Sequence, residues 1–83
     1  MEIHEVQKAK LIKDYLVELV FDDKKRARVN LEGYLGKGIF KDLLNKKKFK
    51  QFRVDKELGT ICWPNGADIA PDTLYADAVK NHR

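Results

Sequence analysis

Few side chains in this sequence could carry out catalysis. The chain contains no serine, so a serine nucleophile is excluded, and Cys62 is its single thiol. A catalytic cysteine needs a neighbouring base or a helix N-terminus to become a thiolate. The two histidines, His4 and His82, lie near opposite ends of the chain, and neither is close to Cys62 in sequence. We therefore expect Cys62 to be a small buried or half-buried residue, and we expect no enzymatic activity.

Metal and phosphate sites also lack their usual residue spacing. One cysteine and two histidines cannot form a zinc site of ordinary spacing. Asp68, Asp72 and Asp77 offer carboxylates, but no calcium-binding loop surrounds them. Asp68 is better suited to accept hydrogen bonds from backbone N–H groups near a helix start. Gly36 and Gly38 fit neither of the glycine patterns that bind phosphate. We expect no metal site and no cofactor.

The most constrained stretch of the sequence runs from Gly59 to Tyr75. It reads Gly-Thr-Ile-Cys-Trp-Pro-Asn-Gly-Ala-Asp-Ile-Ala-Pro-Asp-Thr-Leu-Tyr. Its β-branched and aromatic beginning favours a strand, and Pro-Asn-Gly favours a tight turn. Pro71 suits the first position of a helix, which we expect over residues 71–80.

Four side chains of this stretch are candidates for binding a partner. Aromatic, amide and carboxylate groups in one short segment are typical of interaction hot spots. The same residue types are equally typical of a turn that fixes how a helix docks on a sheet. The partner-binding candidates are Trp63, Asn65, Asp68 and Tyr75.

The stretch resembles the C-terminal signature of a widespread group of small bacterial proteins catalogued as a domain of unknown function. That signature is Trp-Pro-Asn-Gly-x-Asp-Ile/Leu-x-Pro-Asp-x-Leu-Tyr, which this chain carries from Trp63 to Tyr75. The resemblance covers nearly the whole chain. Its other residues are Phe21-Asp22-Asp23 at the end of an apolar strand, Arg28-Val29-Asn30-Leu31, Phe40, Leu43, Phe49 and Phe52.

The resemblance implies a small α+β fold without an established activity or a known catalytic residue. Some members of the group look fused to helix-turn-helix domains, for which this chain has no room. Others sit beside a second small protein in a toxin–antitoxin-like arrangement. The resemblance therefore favours a protein partner and an antitoxin-like or regulatory role.

Length and composition indicate one small soluble domain over residues 1–83. The sequence is 36% charged and 43% hydrophobic, which fits a globular protein better than a disordered one. No apolar run approaches the roughly 20 residues that a membrane helix needs. The N-terminus has no secretory signal, and a single cysteine fits a reducing compartment. We expect a cytoplasmic protein that does not bind membranes.

Apolar alternation predicts a small, mostly antiparallel sheet. We expect an N-terminal strand at residues 5–12, followed by two hairpins formed by residues 15–31 and 49–63. The strand at residues 15–22 is apolar on both faces and is expected at the centre. Matching apolar faces sets the register, with a loop of three or five residues in the first hairpin. The expected pairs are Phe21–Ala27, Leu19–Val29, Val17–Leu31, Val54–Ile61 and Phe52–Trp63, with Gly59 at positive φ in the second loop.

Two short helices are expected to cover one face of this sheet. Apolar residues at i and i+4 spacing predict a helix over residues 39–45 and a second one near the C-terminus. Asn45 is a plausible left-handed terminator of the first helix. Together these elements predict an α+β fold of two hairpins, an N-terminal strand and two helices. The apolar stripes are Ile39, Phe40, Leu43 and Leu44 in the first helix, and Leu74, Tyr75, Ala78 and Val79 in the second.

Basic residues are concentrated in two short segments, although the net charge is only +4. Such segments can be solvated surface, or they can contact the phosphates of a nucleic acid. The nucleic-acid-binding candidates are Lys46, Lys47, Lys48, Lys50 and Arg53. The second cluster is Lys24, Lys25, Arg26 and Arg28.

These observations favour a small, non-catalytic bacterial module that binds a protein partner and has an antitoxin-like or regulatory role. The alternative is nucleic-acid binding through residues 46–53, and an uncharacterised enzyme is the third possibility. A small core and an exposed edge strand also favour a homodimer.

Overall fold

Two antiparallel sheets and short helices make up the fold. The structure is a computed structural model, and it describes residues 4–81. The first sheet has the strand order β1 (Val6–Lys13), β2 (Leu16–Phe21), β3 (Arg26–Asn30), and the second pairs β4 (Arg53–Asp55) with β5 (Thr60–Cys62). The helices are α1 (Lys46–Phe49) and α2 (Pro71–Asn81), with 3₁₀ segments at Glu32–Tyr34 and Gly38–Leu44. This arrangement confirms the α+β prediction, although the strands form two sheets instead of one.

Strand β2 is central, as its apolar pattern predicts. Val17, Leu19 and Phe21 are completely buried on its inner face. The register of the first hairpin differs from the prediction by two residues, because Leu19 pairs with Ala27 and Val17 with Val29. A register shift of two residues keeps each side chain on its own face of the sheet, so hydrophobic matching alone cannot distinguish the two registers.

The β2–β3 loop has three residues, the shorter of the two predicted lengths. The backbone N–H of Phe21 donates to the carbonyl of Lys25 at 2.9 Å, and that of Lys24 donates to the carbonyl of Phe21 at 3.0 Å. Lys24 has a φ of 73°, in the left-handed region. This is the three-residue hairpin loop that closes with one left-handed residue, a position that normally favours glycine.

The second hairpin follows its predicted register. Val54 pairs with Ile61, and Gly59 has a φ of 67°. The carbonyl of Gly59 also accepts a 2.8 Å hydrogen bond from the N–H of Val6, which joins this hairpin to the start of β1. A Cβ atom at Gly59 would lie 2.6 Å from a carboxylate oxygen of Glu5. The left-handed conformation therefore favours glycine here, and a larger residue would also force the exposed Glu5 side chain to move.

The predicted helix over residues 39–45 is a 3₁₀ helix, and its apolar stripe is not buried as a unit. Leu43 is buried, but Ile39 and Leu44 are 48% and 42% exposed. A 3₁₀ helix has three residues per turn, so residues at i and i+4 no longer share a face.

Asn45 ends this helix, as predicted, but it is not left-handed. Its φ of −69° and ψ of 114° are extended, and its backbone N–H donates to the carbonyl of Asp42. Its side chain also accepts hydrogen bonds from the N–H groups of Lys47 and Lys48, so Asn45 is at the same time the N-cap of α1. Phe49, predicted to begin a strand, is the buried last residue of α1.

Helix α2 begins at Pro71, as predicted, and covers the inner face of the first sheet. Leu74 and Ala78 are fully buried, and Tyr75 packs partly against the core. Val79 is 50% exposed, so it does not belong to the buried stripe. No helix within residues 4–81 is long and apolar enough to cross a membrane.

Candidate interaction surface

Trp63 does not belong to an accessible surface, which corrects its assignment as a partner-binding residue. Its side chain is 2% exposed and lies among the rings of Phe40, Phe49 and Phe52. The indole N–H donates a 2.7 Å hydrogen bond to the carbonyl of Phe49. The aromatic and hydrogen-bonding groups that make tryptophan a common hot-spot residue serve here to join β5 to the end of α1.

Asn65 holds its own turn together. Its side-chain carbonyl accepts a 3.0 Å hydrogen bond from the N–H of Ala67, and its amide donates at 3.2 Å to the carbonyl of Ile39. Gly66 follows with a φ of 91°. The turn is thus attached to the Gly38–Leu44 3₁₀ helix, which supports the architectural interpretation of this residue.

The other two candidates lie in different surroundings. Asp68 is exposed, and its backbone forms an isolated bridge with Cys62. The predicted hydrogen bonds from backbone N–H groups to the Asp68 side chain do not occur among residues 4–81. Tyr75 is half-buried and donates a 2.6 Å hydrogen bond to Asp23 in the β2–β3 loop. The four predicted residues therefore have no common environment and do not form a single patch. Cys62 is buried at 8% exposure, as predicted.

The basic segment 46–53 is partly neutralised by ion pairs. The ammonium group of Lys46 lies 2.8 Å from a carboxylate oxygen of Asp14, and that of Lys48 lies 3.0 Å from one of Asp42. The hydrogen bond and the charge of Lys46 lower the pKa of Asp14, and Asp14 in turn raises the pKa of Lys46. Within residues 4–81, Lys47, Lys50 and Arg53 are exposed and form no ion pair. Three of the five predicted cations thus remain available.

A larger basic surface lies on the outer face of the first sheet, which the sequence did not reveal as one unit. Residues directly opposite each other on neighbouring strands point to the same side of a sheet. The opposing residues form three rows across the strands. These rows are Lys8–Val20–Arg26, Lys10–Glu18–Arg28 and Lys13–Leu16–Asn30, which together we call the basic sheet face.

The basic sheet face accounts for the net charge of the whole protein. It holds five of the 17 lysine and arginine residues and one of the 13 acidic residues, so its formal charge of +4 equals that of the chain. All five cations are exposed. The carboxylate of Glu18 lies 3.4 Å from the guanidinium of Arg28, and its side chain is 22% exposed. The other 12 lysine and arginine residues are equal in number to the other 12 acidic residues.

Aliphatic side chains lie between these cations. Leu16 and Val20 are half-buried on the face but do not belong to the hydrophobic core, and Ile12 lies beside them at a β-bulge. An open groove of about 480 Å³ borders the first two rows of the face and is also lined by Ala9 and by Val54 of β4. On the central strand, Leu16 and Val20 thus lie on either side of Glu18, and the five cations flank them on β1 and β3.

Only part of this surface could be predicted from the sequence. The alternation of basic and apolar residues in β3 by itself indicates that Arg26 and Arg28 lie on the outer face. In β1, however, register shifts between Val6 and Lys8 and between Leu11 and Lys13 break the alternation. Each bulge inserts a residue and reverses the apparent face of those that follow. The lysines of β1 could therefore not be assigned to a face by counting.

One comparison with known proteins gives a match. A family model described as "Protein of unknown function (DUF2442)" matches residues 6–80. No curated protein and no solved structure matches the chain.

Proposed function

We propose that this chain, which belongs to the DUF2442 family, is a non-catalytic module that binds an acidic protein partner through its basic sheet face. The observation that carries the proposal is a formal charge of +4 on one open face that also exposes parts of the aliphatic residues Leu16 and Val20. Protein interfaces combine apolar residues with polar and charged ones. The exposed cations of the face would pair with carboxylates of the partner and guide its approach.

The composition of the face favours an acidic protein over a nucleic acid. Sheets that bind single-stranded nucleic acids stack bases on aromatic side chains, whereas no row of this face contains an aromatic residue. Glu18 lies in the middle of the face, where its charge would repel the carboxylates of a protein and the phosphates of a nucleic acid alike, so it does not distinguish the two. Its 3.4 Å contact with Arg28 keeps that guanidinium in place on the face.

We also propose that the binding is antitoxin-like or regulatory, as the family resemblance favours, and that it takes place in the cytoplasm, as the single cysteine favours. A homodimer remains part of the proposal, but it would form through another surface. A two-fold symmetric contact places the same patch of both copies together. Two faces of charge +4 would repel each other.

The test uses two triple variants that remove the same number of positive charges. Lys8→Gln/Lys10→Gln/Arg26→Gln neutralises the sheet face, and Lys47→Gln/Lys50→Gln/Arg53→Gln neutralises the free cations of the basic segment. All six side chains are exposed, so both variants are expected to fold. Each is used to capture partners from a lysate of the source organism, with and without nuclease.

We expect a nuclease-resistant protein that the wild type and the basic-segment variant capture and the sheet-face variant does not. Captured material that disappears with nuclease would instead support nucleic-acid binding. Binding of labelled DNA and RNA to the two variants, from about 50 mM salt upwards, would then show which surface contacts the nucleic acid. The variant that has lost phosphate contacts shows a weaker dependence of affinity on salt. Equal capture by both variants would contradict the sheet-face proposal.

A further inference from the structure

A histidine and two aspartates lie close together at one end of the first sheet. The histidine precedes β1, and the aspartates belong to the loop between β2 and β3. The Nδ1 atom of His4 lies 3.6 Å from Oδ1 of Asp22 and 3.8 Å from Oδ2 of Asp23. One possible ligand atom of each of the three residues lies within 4.8 Å of those of the other two. We propose that His4, Asp22 and Asp23 bind a divalent transition-metal ion, with Zn²⁺ as the preferred ion. This proposal is independent of the basic sheet face.

The backbone brings the ligands together from two segments of the chain. Val6 pairs with Phe21, and the N–H of Asp22 donates a 2.9 Å hydrogen bond to the carbonyl of Glu5. These contacts continue the β1–β2 pairing past the end of the strands. They place His4 beside the loop without any regular spacing in the sequence.

Each ligand except Asp22 is oriented by further contacts. The His4 ring stacks on Tyr75, with ring centres 3.7 Å apart and planes at 7°. The Tyr75 hydroxyl donates at 2.6 Å to Oδ2 of Asp23, whose Oδ1 accepts a 2.9 Å bond from the N–H of Lys25. Hydrogen bonds of this kind hold metal ligands in place in established sites. A carboxylate oxygen has enough lone pairs to accept the tyrosine bond and still bind a metal.

The observed separations fit a tetrahedral ion. Ligand atoms about 2.1 Å from zinc at tetrahedral angles lie about 3.4 Å apart. The two distances from His4 are 3.6 and 3.8 Å, and the three ligand atoms lie within 4.8 Å of one another, so the side chains would move closer together around the ion. Three protein ligands would leave one position for water, as in the open type of zinc site.

The donor atoms determine the class of metal. One imidazole nitrogen with two carboxylate oxygens suits zinc and its first-row neighbours. Calcium and magnesium prefer oxygen ligands alone and more of them. We therefore expect Zn²⁺ to bind more tightly than Mg²⁺ or Ca²⁺.

The test measures Zn²⁺ binding to the untagged, full-length protein by titration calorimetry. His4→Phe is the decisive variant, because phenylalanine can keep the stacking on Tyr75 but has no nitrogen to bind the metal. Asp22→Asn removes a carboxylate that takes part in no other hydrogen bond within residues 4–81. His82→Ala is the matched control, since it removes the other histidine of the sequence.

We expect one Zn²⁺ per chain, at least tenfold weaker binding in His4→Phe and Asp22→Asn, and unchanged binding in His82→Ala. Far-UV circular dichroism of each variant shows that a loss of binding does not result from unfolding. Equal affinity in the wild type and His4→Phe, loss of binding in His82→Ala, or no binding at millimolar Zn²⁺ would each overturn the proposal. In those cases the cluster is a His–Asp ion pair only.

Discussion

Replacing Trp63 by phenylalanine tests whether this residue belongs to the core or to a binding surface. Trp63 is 2% exposed and its indole N–H donates to the carbonyl of Phe49. Phenylalanine keeps the aromatic packing but removes the donor and leaves a space. The Phe49 carbonyl then retains only a long, 3.4 Å hydrogen bond from the N–H of Phe52.

The expected cost has two parts. Weakening the pairing of a buried carbonyl costs about 1–2 kcal/mol. Removing about 40 Å³ of side chain costs about 1 kcal/mol, at roughly 24 cal/mol per Å³ of cavity. The Trp63→Phe variant should therefore lose about 2–3 kcal/mol of unfolding free energy, yet remain folded, because a chain of this size has roughly 4–12 kcal/mol.

Urea unfolding followed by far-UV circular dichroism measures this loss without relying on tryptophan fluorescence. The folded variant should also bind the captured partner as tightly as the wild type. A loss below about 0.5 kcal/mol, which is within the range of ordinary surface substitutions, would refute the core assignment. So would a stable variant that no longer binds.

Three further predictions concern the loops and their carboxylates. Lys24→Gly should stabilise the protein by about 0.5–1 kcal/mol, because a left-handed residue with a Cβ is strained. Urea unfolding measures this change, and an unfolding free energy that does not rise would contradict the left-handed conformation of Lys24. Gly66→Ala should destabilise the protein by about 1 kcal/mol, because it introduces a Cβ at a residue with a φ of 91°. The loss would come from the backbone conformation alone, because the added Cβ would contact Ile39 at an ordinary 3.8 Å. The hydrogen bond from Tyr75, followed by that from the N–H of Lys25, lowers the pKa of Asp23. Tyr75→Phe should therefore raise the pKa of Asp23 towards its ordinary value, which an NMR titration of the carboxyl carbon measures. Because the pKa of Asp23 is lower in the folded protein, its contribution to stability is complete above the ordinary carboxyl pKa and is lost as the pH falls through the folded value. An unchanged Asp23 pKa in Tyr75→Phe would contradict the assigned cause.

Local patterns in the sequence predicted much of the fold. The alternation of β2, the Val54–Ile61 pairing and the left-handed Gly59 each depend on residues close together in the chain. Pro71 likewise marked the start of α2. These features follow from propensity and turn chemistry, which act over a few residues.

The features that were missed depend on tertiary context. Nothing in residues 39–45 distinguishes an α-helix from a 3₁₀ helix, and the choice leaves Ile39 and Leu44 exposed. Trp63 was assigned to a surface because its residue type suits both an interface and a core. The basic sheet face depends on the bulges of β1, and the cluster around His4 depends on pairing between distant segments. Neither can be found by counting along the chain.

The most direct test of the central claim is the affinity of the purified partner for the two triple variants. Neutralising three exposed charge pairs should cost about 1–3 kcal/mol. The Lys8→Gln/Lys10→Gln/Arg26→Gln variant should therefore raise Kd by about fivefold to 140-fold, since 1.4 kcal/mol corresponds to about a factor of ten. The Lys47→Gln/Lys50→Gln/Arg53→Gln variant should change Kd less than the sheet-face variant does, because these three residues do not belong to the rows of the face. Equal effects of the two variants, or a larger effect of the second, would contradict binding through the basic sheet face.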